Sequence, residues 1–289
     1  MRKKTFILLL TTFCCVPLFG RDSGRILEGQ NMKSDILSYS VDYCVYLPPG
    51  YESSTRRYPV VYLLHGYSDQ EWGWVQFGEI QEAVDRAIEK REIPPMIIVM
   101  PDGRVTWYVN DYAGKDRYED MFVQELIPHI DRTFLTRSER EFRAISGLSM
   151  GGYGSLTLSM RYPDLFSSCA AFSAAVWEFG TLVDSKSYDR MLKPIFGPIV
   201  DDKIPDHFII KDPLNIAQTT DVKSLKRVRY YIDCGDDDFL IAGNCALHLA
   251  LMKREVPHEF RVRDGGHSWI YWRTGIIDGL RFISERFHR

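Results

Sequence analysis

Ser149 stands in the pattern Gly147-Leu148-Ser149-Met150-Gly151. A serine hydroxyl attacks a carbonyl only when a base takes its proton and fixed donors steady the oxyanion that forms. Small neighbours permit a strained turn that lifts such a hydroxyl above its surroundings. Glycines at 147 and 151 let flanking backbone pass where a Cβ would clash. Two later stretches supply partners: Gly235-Asp236-Asp237-Asp238 offers carboxylates, and Arg263-Asp264-Gly265-Gly266-His267 offers an imidazole. A histidine titrating near neutrality can take the serine proton, and a carboxylate holds the ring in the right tautomer. Together these residue types would carry acyl transfer through a covalent serine adduct. Spacing alone leaves open which of the three aspartates serves. The bland alternatives are a solvated acidic loop or a weak calcium site for the aspartates, and a helix cap for His267. His129, His207, His248, His258 and His288 suggest no partner and read as structural.

The elements around these residues fall in an order that brings them to one rim. Phe142 to Ile145 reads as a short buried strand before Ser149, and Ser155 to Tyr162 as the helix after it. A helix starting at Met150 would aim its first N–H groups at the serine and favour a developing oxyanion. Tyr58 to Leu64 and Pro95 to Met100 are continuous apolar runs, the pattern of central strands buried on both faces. His65-Gly66-Tyr67 follows the first of them, and the Tyr67 N–H is the candidate second oxyanion donor. His65 itself reads as a packed or hydrogen-bonded histidine. Ile36 to Leu47 alternates as a half-exposed strand does. Phe166 to Phe172, Val228 to Cys234 and His258 to Val262 are further strands. Ile80 to Ile88, Tyr118 to Phe134, Leu240 to Met252 and Trp269 to Phe287 have helical spacing, with Pro128 bending the second. Arg21 to Lys33 reads as a polar arm. Proline-broken residues 173–223 read either as a partial cap over the site or as a surface excursion. Alternating strands and helices give an α/β fold, a mostly parallel sheet with helices on both faces. In such sheets ligands meet the carboxyl ends of the strands, where Tyr67, Ser149, Asp236 to Asp238 and His267 all fall.

The chain of 289 residues is 45% hydrophobic with a formal net charge of -3, enough for one sizeable core. No basic patch or arginine run suggests nucleic acid. Arg2, Lys3 and Lys4 precede an apolar stretch from Thr5 to Phe19, the layout of an export signal too short to span a membrane comfortably. Cleavage after Gly20 leaves residues 21–289 as a single domain, placed outside the cell or in the periplasm, with no stable membrane span. Leu18 is a poor match to the small residue usual in that position. Cys44, Cys169, Cys234 and Cys245 then remain; an even number permits disulfides, but the apolar strand-like runs around Cys44, Cys169 and Cys234 favour small buried hydrophobes. No cysteine or histidine spacing suggests zinc. Trp72, Trp74, Trp107, Trp269 and Trp272 cluster near the predicted site loops. Of these Trp72, Trp107 and Trp269 are candidates for contact with substrate, with core packing the alternative.

At this point the residues match a known family. Val45-Tyr46-Leu47-Pro48-Pro49-Gly50-Tyr51, Tyr62-Leu63-Leu64-His65-Gly66, Val99-Met100-Pro101-Asp102-Gly103, Gly147-Leu148-Ser149-Met150-Gly151-Gly152 and Gly265-Gly266-His267-Ser268-Trp269 resemble the putative-esterase (esterase D-like) branch of the α/β-hydrolases. The match runs from about Val41 to Phe287, closest in pattern to feruloyl and acetyl-xylan esterases of carbohydrate esterase family 1. The resemblance implies the α/β-hydrolase fold, Ser149 as nucleophile and His267 as general base and acid. It implies Asp238 as the acid, with Asp236 and Asp237 unusual in type for their places. It puts the oxyanion hole at the Tyr67 and Met150 N–H groups. It implies no metal or organic cofactor, and as partner a small-molecule or polysaccharide-linked ester. Siderophore trilactone esterases and S-formylglutathione hydrolases share the architecture, and a catalytically silent polysaccharide-binding protein on the same fold is the alternative of a different class.

Overall fold

The computed structural model describes residues 23–178 and 186–287. The expected export signal and His288 lie outside the described residues.

Eight strands form one sheet in the order β1-β2-β4-β3-β5-β6-β7-β8. These are β1 (Arg25–Met32), β2 (Val41–Leu47), β3 (Val60–Leu64), β4 (Ile97–Pro101), β5 (Arg143–Leu148), β6 (Ser168–Phe172), β7 (Arg229–Gly235) and β8 (His258–Arg263). β1 and β2 run antiparallel to their neighbours, and β3 through β8 are parallel. The inner parallel strands β3, β4, β5 and β6 are buried at every position because their side chains alternate between two covered faces. Tyr62 and Leu64 of β3 point into one core with Ile145, Leu156 and Phe122. Val61 and Leu63 point into the other with Ile80, Val84, Ile276 and Leu280.

Among the described residues five long helices cover the sheet: α1 (Ile80–Glu89), α2 (residues 118–133), α3 (Met150–Arg161), α4 (Ile241–Lys253) and α5 (Trp269–Ser284). Apolar residues of α2, α3 and α4 lie in the first core, and those of α1 and α5 in the second. Within α2 the residues Phe122–Leu126 open into a π-turn, closed by the Ile127 N–H on the Phe122 carbonyl. The widened turn directly precedes Pro128, which has no N–H to continue an α ladder.

Two readings of the sequence need correction. Arg25–Met32 is a strand at the sheet edge, paired with β2, and not a loose arm. Its polar composition hid it, because an edge strand half open to water carries no apolar run. β2 is buried at every position except Asp42, since Cys44 and Tyr46, on the side expected to face solvent, pack into the core with Ile80 and Val84 of α1. Cys44, Cys169 and Cys234 are buried free thiols, and Cys245 is a partly buried one.

Between β6 and β7 the described residues form short helices tied to the body. Glu119 of α2 is fully buried, pairs with Lys211 and with Arg161 of α3 (2.8 Å), and accepts from the Tyr162 hydroxyl at 2.9 Å. Trp107 donates its indole N–H to the Met191 carbonyl at 3.0 Å. No helix among the described residues is long and apolar enough to cross a membrane.

Candidate active site

Ser149 occupies the turn between β5 and α3 with φ 54° and ψ −116°. A non-glycine residue holds such a backbone only where its surroundings dictate it. Here the surroundings are three hydrogen bonds, Ser149 N–H to the Phe172 carbonyl (2.9 Å) and the Tyr153 and Ala175 N–H groups to the Ser149 carbonyl (3.0 Å each). The flanking glycines permit the close passage. A Cβ at Gly147 would meet the Gly151 carbonyl oxygen at 2.5 Å, and one at Gly151 would meet the Leu64 oxygen at 2.5 Å.

His267 lies on the loop between β8 and α5. Its Nε2 is 3.0 Å from Ser149 Oγ, and its Nδ1 is 2.9 Å and 3.1 Å from the two carboxylate oxygens of Asp238. Asp238 is 1% exposed. Burial pushes its carboxyl upward, but the hydrogen bonds from the His267 ring and the Leu240 N–H outweigh it and hold the group below the usual carboxylate value. An ionised carboxylate at Nδ1 keeps the proton on that nitrogen and leaves Nε2 free to accept. Asp236 and Asp237 are exposed, and the Asp236 carboxylate accepts from the Gly265 N–H at 3.0 Å. With Asp264 they bring carboxylate oxygens within 4.8 Å of one another, an exposed grouping that does not by itself define a cation site. Geometry thus separates the three aspartates where spacing could not.

Facing the serine, the Gly66 carbonyl accepts from the Asp69 N–H at 3.2 Å and from the His65 ring at 2.8 Å. The peptide is planar and trans, so pinning that carbonyl turns the Tyr67 N–H the opposite way. Met150 is the first residue of α3, where an N–H has no intrahelical partner. His65 is buried, and its Nε2 accepts the Gly103 N–H at 2.8 Å.

A cleft of about 550 Å³ opens on Ser149 and His267. Phe77, Met191, Phe239, Trp269 and Trp272 line it, together with the Gly66-Tyr67-Ser68-Asp69 loop. Phe239 is 76% exposed and lies with its ring 4.7 Å from the His267 ring. Of the three tryptophans expected to touch substrate, the structure puts Trp269 in the cleft. Trp107 is corrected: it is 1% exposed, packed against Tyr67, Tyr153, Trp177 and Phe196, and belongs to the core. Trp72 is set back from the cleft lining, near Phe77 (5.9 Å between rings), with its N–H on Gln70. Sequence reasoning missed Phe77, Met191 and Phe239, none of which stands in a motif.

A mostly parallel sheet, a strained serine after β5, and a carboxylate and an imidazole after β7 and β8 define an α/β-hydrolase. Residues 34–283 match the family model described as "Putative esterase", and the chain belongs to that family. It is 34% identical over 150 residues to an endo-1,4-beta-xylanase/feruloyl esterase of Xylanibacter ruminicola, covering 50% of this chain and 21% of that protein. It is 26% identical over 236 residues to an acetyl esterase of Caldicellulosiruptor saccharolyticus, covering 78% of this chain and 83% of that one. A solved ferulic acid esterase superposes with a TM-score of 0.78 at 29% identity, covering 92% of this chain and 99% of the other. The chain spans about half or less of the length of the first curated relatives it matches.

Proposed function

We propose that this chain is a serine ester hydrolase acting on carbohydrate-linked esters, such as feruloyl or acetyl groups on xylan. Residues 1–20 are its export signal, and residues 21–289 form one catalytic domain outside the cell or in the periplasm. One observation carries the reading: Ser149 Oγ and Asp238 lie on opposite nitrogens of a single imidazole.

The reaction follows from the geometry. Ser149 Oγ attacks the ester carbonyl carbon while His267 Nε2 takes its proton. The tetrahedral oxyanion is met by the Tyr67 and Met150 N–H groups. Asp238 steadies the imidazolium. Collapse expels the alcohol, which receives the proton from His267. Water then repeats the sequence in reverse roles and releases the acid and the free serine. No step needs a metal or an organic cofactor.

The aromatic rim of Phe77, Phe239, Trp269 and Trp272 supports an aromatic acyl group, because planar rings bury area at little entropic cost and stack at fixed offsets. The relatives named as feruloyl and acetyl esterases support the same substrate class. Release of p-nitrophenol from its acetate by wild type and Ser149→Ala tests the enzyme reading. Loss of release in the variant is expected; equal rates would leave a binding protein on a hydrolase fold. Comparing kcat/KM for methyl ferulate, acetylated xylan, a catecholate trilactone and S-formylglutathione tests the substrate class. N-terminal sequencing of exported protein should begin at Arg21.

A further inference from the structure

The aromatic rim is not one surface. Phe77, Trp269 and Trp272 touch in series, with 5.7 Å and 5.4 Å between ring centres. Phe239 comes from the loop between β7 and α4. Among the described residues its ring meets no aromatic ring except the His267 imidazole, at 4.7 Å. The turn that carries it is fixed. The Asp238 N–H donates to the Gly235 carbonyl at 3.2 Å, the Leu240 N–H to the Asp238 carboxylate at 2.9 Å and the Ile241 N–H to the Asp238 carbonyl at 2.9 Å. Asp238 and Leu240 are buried on either side, so Phe239 between them is turned outward and left 76% exposed. A lone apolar side chain in water needs no explanation elsewhere on a surface. This one lies in the cleft, against the base. Its place matters for the half of the ester that leaves. His267 Nε2 returns the proton to the departing alcohol, so that oxygen must come within about 3 Å of it. A sugar esterified at a hydroxyl begins its ring next to that oxygen or one methylene beyond. The ring of an aromatic acyl group such as ferulate is held off from the carbonyl by its propenoyl link. Trp272 also touches the imidazole, at 4.8 Å, but it is 6% exposed and has little face to offer. Phe239 is the open aromatic face nearest the leaving alcohol.

We propose that Phe239 is a specificity-determining residue that receives the sugar on the alcohol side of the ester, while the Phe77–Trp269 face takes the acyl group. The C–H groups on the face of a sugar ring are apolar and weakly positive, and they stack on the negative face of a phenyl ring. The fixed turn presents that ring with little ordering left to do. The inference deepens the reading of this chain as a hydrolase of carbohydrate-linked esters and rests on it.

The test uses the full chain and esters that differ on one side at a time. Methyl ferulate and the feruloyl ester of arabinose share an acyl group and differ in the alcohol. Methyl ferulate and methyl acetate share the alcohol and differ in the acyl group. In Phe239→Ala the ratio of kcat/KM for the arabinose ester to that for methyl ferulate should fall about tenfold, mostly through KM. The ratio for methyl ferulate to methyl acetate should hold. Phe239→Trp, which keeps an aromatic face, should restore the first ratio. An equal loss on all three esters would overturn the inference, because it would make the ring a support for His267. A fall in the ferulate-to-acetate ratio instead would also overturn it, placing the ring on the acyl side, and so would two unchanged ratios. Each of these results leaves the carbohydrate-ester reading standing. A wild-type enzyme that cleaves p-nitrophenyl acetate but not the arabinose ester or acetylated xylan would overturn that reading, and the inference with it.

Discussion

Two histidines follow strands at the same rim, and their surroundings differ. At the end of β3, His65 is buried, and backbone takes both its nitrogens: one donates to the Gly66 carbonyl and the other accepts the Gly103 N–H. After β8, His267 is partly buried, with Asp238 at one nitrogen and the Ser149 hydroxyl at the other. A ring saturated by backbone has no nitrogen to give to a reaction; it fixes a loop. A ring between a carboxylate and a hydroxyl can take a proton and give it back. Residue type is the same at both corners, and the neighbours assign the work.

Exchanging each imidazole breaks the comparison most directly. His267→Ala should lower kcat/KM on p-nitrophenyl acetate by about four to six orders of magnitude, with little change in melting temperature. Asp238→Asn should cost about four orders in kcat by favouring the wrong tautomer, whereas Asp236→Asn and Asp237→Asn should stay within a few-fold. A large loss in either exposed position would reassign the acid. His65→Ala should reverse the balance. It leaves the Gly66 carbonyl and Gly103 N–H without their buried partner, so denaturant titration should show a loss of about 2–4 kcal/mol. Its kcat should fall only about ten- to hundredfold, through a loosened Tyr67 N–H. The smallest effect sharpens the same contrast by pH. Asp238 has a folded-state value below the ordinary 3.8. Its stabilisation is present above 3.8 and is lost as pH falls through the lower folded value. Asp238→Asn should therefore flatten the acid side of the melting-temperature curve below about pH 4, a change of a few degrees.

The parallel strands were legible because burial on both faces writes an uninterrupted apolar run, as in Val60–Leu64 and Ile97–Pro101. Ser149 and His267 were legible because the elbow needs glycines and the order along the chain limits the partners. β1 was not, because Arg25–Met32 is an edge strand with polar side chains. The choice among Asp236, Asp237 and Asp238 needed the turn geometry that buries only the third. Trp107 was misplaced because an aromatic residue near a site loop packs inward as readily as outward.

The loops bearing Asp238 and His267 are fastened to each other. The Asp236 N–H donates to the Arg263 carbonyl, the Asp237 N–H to the Gly265 carbonyl, and the Gly265 N–H to the Asp236 carboxylate. Neither loop can swing out without releasing the other. Deuterium uptake at these three amides should accordingly rise together, in one opening event of common free energy. Warming would then silence proton transfer in a single step, before the sheet beneath has melted.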